Sequence, residues 1–331
     1  MQLEESKEQG IDVLLNNESL RAFLGHLIDY AGLFPPARLS LREAIQNYAS
    51  YKLEQDVWML GHFVIRASEL SKLSTYVNLF SAQTPLVISA TGSRTESFDG
   101  CLAQLEDDLK VINDFRSKYG EQVEINAFEL PLPAKIPRQH DLQNIAVLTV
   151  GQGLKPFCEL TIPLNSEKWE EDILATLDAI ADHNAKSEQK LGMKLRTGGI
   201  KADMFPSPKQ VASFIHGCIE RRLQLKFTAG LHHPIRMYRK EVQTKMYGFL
   251  NVFLAVILGE IHRLDKNSIK EILSDEDPGS FIFQSDYMAW RDLKVTAYEI
   301  GQVRKTILSS YGSCSFDEPR EELRELIKKQ E

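Results

Sequence analysis

Cysteine is sparse and scattered: the 331 residues contain four, Cys101, Cys158, Cys218 and Cys314, with no C-x-x-C pair. That pattern excludes a zinc knuckle and a disulfide framework, and it fits a reducing compartment. An excess of positive charge is also missing. Lys and Arg number 39 against 46 Asp and Glu, a net charge of −7, so no broad basic surface for nucleic-acid phosphates is expected. Long apolar runs are absent. The longest, 246–258 (MYGFLNVFLAVIL), falls short of the roughly 18 residues a membrane span requires and reads as a buried helix. Residues 1–10 are acidic and polar, without the apolar core of a signal peptide, so a cytoplasmic location is expected. No G-x-G-x-x-G loop follows an early strand, which counts against an open doubly wound sheet, the structural competitor.

What recurs is a short apolar run followed by an amphipathic helical stretch, the pattern of βα units around a parallel sheet. The clear strands are 58–67, 85–90, 123–129, 156–162, 191–197 and 223–228. Helical periodicity occupies 41–52, 69–81, 99–118, 167–187 and 208–221, with a short helix between 132 and 156. Two weaker strands, 27–30 before the AGLFPP loop and 280–283 after a helix over 237–263, bring the count to eight. The sequence therefore predicts one α/β domain over 1–331, a (β/α)8 barrel of the TIM type. It carries an N-terminal extension over 1–20 and a C-terminal helical extension over 297–331. That extension reads as a helix to 310, a loop over 311–319 and a final charged helix.

The strand ends carry the chemistry. Glu129-Leu130-Pro131-Leu132-Pro133 and Glu159-Leu160-Thr161-Ile162-Pro163 repeat one pattern a single βα unit apart, which is expected to set two carboxylates side by side on neighbouring strands. A buried carboxylate is costly unless it is paired or used. The next two strands end on cations: Lys194-Leu195-Arg196-Thr197-Gly198-Gly199, then Lys226-Phe227-Thr228-Ala229-Gly230. Alternation puts Lys194 and Arg196 on one face, and likewise Lys226 and Thr228. Because a parallel sheet is covered on both sides, these cations are expected to point inward near the mouth. The bland reading is an internal ion pair with Glu129 and Glu159. Thr197, Gly198, Gly199, Thr228 and Gly230 form turns whose N–H groups can face an anion.

The lysine pair resembles class I aldolases of the deoxyribose-phosphate aldolase type. In that family one late strand reads K-x-x-T-G and the next K-x-x-G-G. Lys194 with Thr197 and Gly198 fits the first pattern, and Lys226 with Gly230 fits the second, except that Ala229 stands in for the earlier glycine. The likeness runs from Lys194 to Gly230, and no counterpart of the family's catalytic aspartate motif is evident. The resemblance implies a Schiff-base lyase acting on an anionic, phosphorylated or carboxylated carbonyl compound. Lys194 would be the nucleophile, kept uncharged by Lys226 and Arg196, with Glu129 or Glu159 moving protons.

Two histidines, His232 and His233, follow the seventh strand directly. With Glu129 and Glu159, one of them, His232 first, offers ligands for a divalent metal ion, the rival reading as a metal-assisted lyase, isomerase or hydrolase. No cofactor is favoured, and a divalent metal ion is the alternative. A non-catalytic anion-binding barrel is the third reading. Arg66 is a clamp for carboxylate or phosphate, and Asp29 and Tyr30 can reach the mouth from the first strand. Cys314 is disfavoured as a nucleophile, and His26, His62, His140, His183, His216 and His262 read as structural. The expected partner is a small anionic ligand, with a homo-oligomer left open, and neither nucleic acid nor membrane is expected.

Overall fold

Eight short strands, each alternating between a helix-facing and an inward-facing set of side chains, pair in parallel and close on themselves. The computed structural model describes residues 17–329. Most of the expected N-terminal extension, 1–16, lies outside them. From Asn17, whose side chain accepts from the Leu20 amide, a helix α1 (Glu18–Leu24) leads into β1 (Ile28–Tyr30). The chain continues with α2 (Leu41–Tyr51), β2 (Leu60–Arg66), 3-10 turns over Ala67–Thr75, β3 (Leu86–Thr91) and α3 (Phe98–Tyr119). Next come β4 (Val123–Pro131), α4 (Gln139–Val150), β5 (Lys155–Glu159), α5 (Trp169–Lys186), β6 (Gly192–Arg196), α6 (Pro208–Glu220) and β7 (Leu225–Thr228).

Local chemistry sets several boundaries. Ser40 with Glu43 and Ser207 with Gln210 form capping boxes that satisfy the first amides of α2 and α6, and Pro208 starts α6 where no N–H is needed. Outward-facing side chains fill the space under the helices: the Phe227 ring meets those of Phe214 and Phe253 edge-on.

After β7 the chain departs from the sequence reading. The stretch expected to open a long helix instead forms a hairpin, β8 (Met237–Arg239) with β9 (Thr244–Met246), and helix α7 spans Phe249–His262. As expected of its apolar run, α7 is buried from Phe249 to Gly259, packed against helix α8 (Lys266–Ser274) and later strands. The proposed eighth strand at 280–283 is not part of the barrel. It contributes β10 (Phe281–Phe283) to an antiparallel sheet with β11 (Tyr287–Trp290) and β12 (Leu293–Thr296). Helix α9 (Ala297–Thr306) then leads into β13 (Leu308–Ser313), which pairs with β7 on one side and β1 on the other and closes the barrel. Helix α10 (Asp317–Lys328) ends the fold. The segment read as a helical extension therefore supplies the last barrel strand. No helix among the described residues is long and apolar enough to cross a membrane.

Candidate active site at the barrel mouth

Inward-facing positions at the carboxyl ends of the strands are polar to an unusual degree, and they line a cavity of about 530 Å³. Val64 and Arg66 reach it from β2, Thr91 from β3, Glu129 and Pro131 from β4, Glu159 from β5, Lys194 and Arg196 from β6, Thr228 from β7 and Gly312 from β13. Each pair is two residues apart, as one face of a strand requires.

The register corrects one expectation. Glu129 lies opposite Phe157, and Glu159 lies opposite Pro131 and Lys194, so the two glutamates occupy successive layers and are not side by side. Lys194 spans the offset. Its Nζ contacts Glu129 Oε2 and lies 2.6 Å from Glu159 Oε2. Glu129 also accepts from Ser89 Oγ at 2.8 Å and lies 3.4 Å from Lys226 Nζ. Lys226 sits beneath the cavity, over the Phe157 ring, donating to Asp29 and, at 2.9 Å, to Ser310 Oγ. Asp29 accepts further from Ser310 Oγ at 2.6 Å and from the His62 amide at 2.7 Å, and its other neighbour is His62 Nδ1 at 2.8 Å. The result is a continuous row, buried from Asp29 through Lys226, Glu129 and Lys194 to Glu159, with the half-buried His62 at its end.

This row shifts the titration of three of its members, Asp29, Glu129 and Lys194. Burial would raise the Glu129 carboxyl, but the Lys194 and Lys226 ammonium groups outweigh it and hold the group below its ordinary range. For Asp29, burial is likewise outweighed, by Lys226 and then His62. Burial would lower Lys194, but Glu129 and Glu159 outweigh it and raise the amine above its ordinary value. The expectation that Lys226 and Arg196 keep Lys194 uncharged is therefore not met. The carboxylates stand closer than either cation.

At the rim, Arg94 NH2 and Arg196 NH1 approach Glu159 Oε1 from 3.8 and 4.0 Å, too long for hydrogen bonds, with side chains 63% and 37% exposed. Arg66 lies over the Phe34 ring, 4.0 Å from Glu69, and is 59% exposed. Arg94 had no motif to announce it beyond its place just after the Thr91-Gly92 strand end. His232 and Cys314 complete the wall, with Sγ 3.7 Å from Nδ1. Burial lowers the imidazole to about 4, aided by His233 and Arg239, and burial pushes the thiol up to about 11. At those values the neutral forms of both groups are favoured near pH 7.

Other expected residues fall elsewhere. His233 turns away to Glu322 at 2.9 Å. The Thr197 hydroxyl donates to Ala229 O at 2.6 Å, which ties β6 to the turn after β7. Gly198 lines a neighbouring groove, and Gly199 and Gly230 line a small recess beside His232. Glu129, Glu159 and His232 are not gathered as metal ligands. Among the described residues, the one trio with ligand atoms mutually within 4.8 Å is His233, Glu318 and Glu322. Lys194 Nζ occupies the space between the two glutamates. His62, read as structural, belongs to the charged row through Asp29.

The fold and site define a TIM-type α/β barrel with a polar mouth. No protein-family model matches the chain, and no curated protein matches it. A solved structure described as "The crystal structure of AsfvAP:AG" is similar at a TM-score of 0.41 and 10% identity, covering 92% of this chain and 96% of that one. A likeness of that degree carries no argument about the site.

Proposed function

We propose that the chain is an enzyme acting on a small anionic carbonyl compound, with Lys194 forming an imine at the carbonyl carbon, as in class I aldolases. One arrangement supports this reading above others: an amine on the cavity floor touches two carboxylates, beneath a rim of guanidinium groups with few close partners. Of the charged groups lining the cavity, Arg66, Arg94, Arg196 and Lys194 outnumber Glu129 and Glu159, although the chain as a whole is acidic. Such a lining attracts an anion.

The raised Lys194 value bears on the mechanism in two ways. To attack, the ammonium first gives a proton to Glu159 or Glu129, so the nucleophilic fraction is small at neutral pH. The freed lone pair forms the C–N bond, the carbonyl oxygen takes up protons, and the carbinolamine loses water. Ammonium plus carbonyl thus become iminium plus water, and the positive charge at nitrogen is kept. The carboxylates that hold the resting ammonium stabilise the iminium in the same way, which favours the covalent state once formed. Cleavage of a neighbouring C–C bond would then send its electron pair to that nitrogen, with the glutamates moving the proton released.

The test is borohydride reduction of the protein incubated with phosphorylated and carboxylated aldehydes and ketones. A mass increase on Lys194, absent in Lys194→Ala, is the expected result. An unmodified Lys194 across the panel refutes the proposal. A non-catalytic anion-binding barrel has one observation in its favour, the pairing of both lysines with carboxylates, and it predicts anion binding without an adduct.

A further inference from the structure

A second cavity of about 360 Å³ adjoins the first, and the two share Arg94, Arg196 and Met204. It lies between the loop after β5 and the loop after β6, and one side of it is apolar. Ile162, Leu164, Trp169 and Leu195 form that side, with Thr161 and Asn165 among the polar residues beside them. No Lys or Arg lines it except the two shared arginines, and Asp203 at its edge repels an anion. Met204 is 39% exposed on a 3-10 turn, and it borders both cavities as well as the recess by His232. An exposed, flexible thioether at such a junction is suited to packing against an apolar ligand of variable shape.

We propose that this groove binds the hydrocarbon part of an amphiphilic substrate whose anionic end is held by Arg94 and Arg196. The two arginines join the two cavities. Each faces the polar cavity on one side and the apolar groove on the other, so an anion held there directs an attached chain into the groove. A substrate of this class carries an alkyl or aryl extension beyond its charged group. This identification rests on the polar cavity being the anion site of the proposed function, but not on the imine.

The test is calorimetric titration of the full chain with two homologous series, straight-chain 2-oxo acids of three to ten carbons and n-alkyl phosphates of one to eight. In at least one series, affinity is expected to rise about fourfold per methylene until the groove is filled. Ile162→Asn, checked by thermal unfolding for an intact fold, is expected to flatten that rise while leaving the shortest member's affinity unchanged. Leu164→Asn provides the same readout should the first variant fail to fold. Affinity independent of length in both series, binding of neither series, or an undiminished rise in the folded variants would each overturn the proposal. Borohydride trapping with the shortest 2-oxo acid is scored separately. A length-dependent affinity without an adduct removes the imine and keeps the groove, and an adduct with no length dependence does the reverse.

Discussion

Lys226→Met deletes an ammonium that is 1% exposed and strands the Asp29 carboxylate, which is 0% exposed. Removing one partner of a buried pair costs about 3–5 kcal/mol, because the remaining charge has neither water nor counter-ion. Asp29 keeps the Ser310 hydroxyl at 2.6 Å, the His62 amide at 2.7 Å and His62 Nδ1 at 2.8 Å, and Glu129 keeps Lys194, which places the loss near the lower bound, about 3 kcal/mol. Asp29→Asn strands Lys226 in turn, with Ser310 Oγ at 2.9 Å and Glu129 at 3.4 Å left to it. The double variant buries neither charge, so it should be much less destabilised than the two single losses added together. A coupling energy of about 2–4 kcal/mol is expected in a double-mutant cycle measured by urea unfolding at pH 7. The pH dependence gives a second check. Asp29 is held below its ordinary value of 3.8, so its contribution is complete above that value and is lost as pH falls below it. Without Lys226, burial favours the neutral acid, and the penalty of Lys226→Met should shrink between pH 7 and pH 4. Coupling below about 0.5 kcal/mol, or a penalty that grows with acid, would refute a Lys226–Asp29 ion pair in the row of charges.

Ala229 has φ +63°, in the left-handed region where a side chain costs about 1–2 kcal/mol, while glycine's extra unfolded-state freedom costs about 0.4–1. Ala229→Gly should therefore raise stability by about 0.5–1 kcal/mol, visible as a higher urea midpoint. Arg94→Ala and Arg196→Ala should each weaken binding of the tightest anion found by calorimetry about tenfold, and added salt should reduce the difference. Equal affinities would remove the rim from the site. Imine trapping at Lys194 should accelerate from pH 7 to pH 9, because Glu129 and Glu159 raise the amine and deprotonation limits attack. By the same sign, the stability Lys194 contributes is complete below its ordinary value of 10.5 and is lost as pH rises through the higher folded value.

Strands with alternating apolar residues were legible, and so was the polar end of each. Lys194, Lys226, Glu129 and Glu159 stand out because charge inside a parallel strand has few physical explanations. The last strand was not legible. Residues 308–313 read LSSYGS, four of the six serine or glycine, a weak strand signal directly after the periodic helix α9. Its inward positions, Ser310 and Gly312, are small because Lys226, Asp29 and Thr228 crowd them. A Cβ at Gly312 would stand 2.9 Å from Thr228 Oγ1, so the threonine side chain would have to shift to admit one. Residues 281–283 (FIF) carry a stronger local signal, and they pair antiparallel outside the barrel. The charge state of Lys194 was hidden for a different reason. Its decisive contact, Glu129, is two strands away and 65 residues distant in sequence, and which layer that carboxylate occupies depends on the register.

The hydroxyl that the Lys226–Asp29 pair shares comes from Ser310, 281 residues after Asp29. Seven barrel strands therefore leave the ribosome before the strand that joins the seventh to the first. Until that strand arrives, β1 and β7 have unpaired edges, and the two buried charges between them face water or each other without their shared hydroxyl. A nascent chain with an open barrel has edges prone to wrong pairing. Closing those edges and completing the polar floor of the mouth are one event during synthesis. A chain released before residue 310 lacks both.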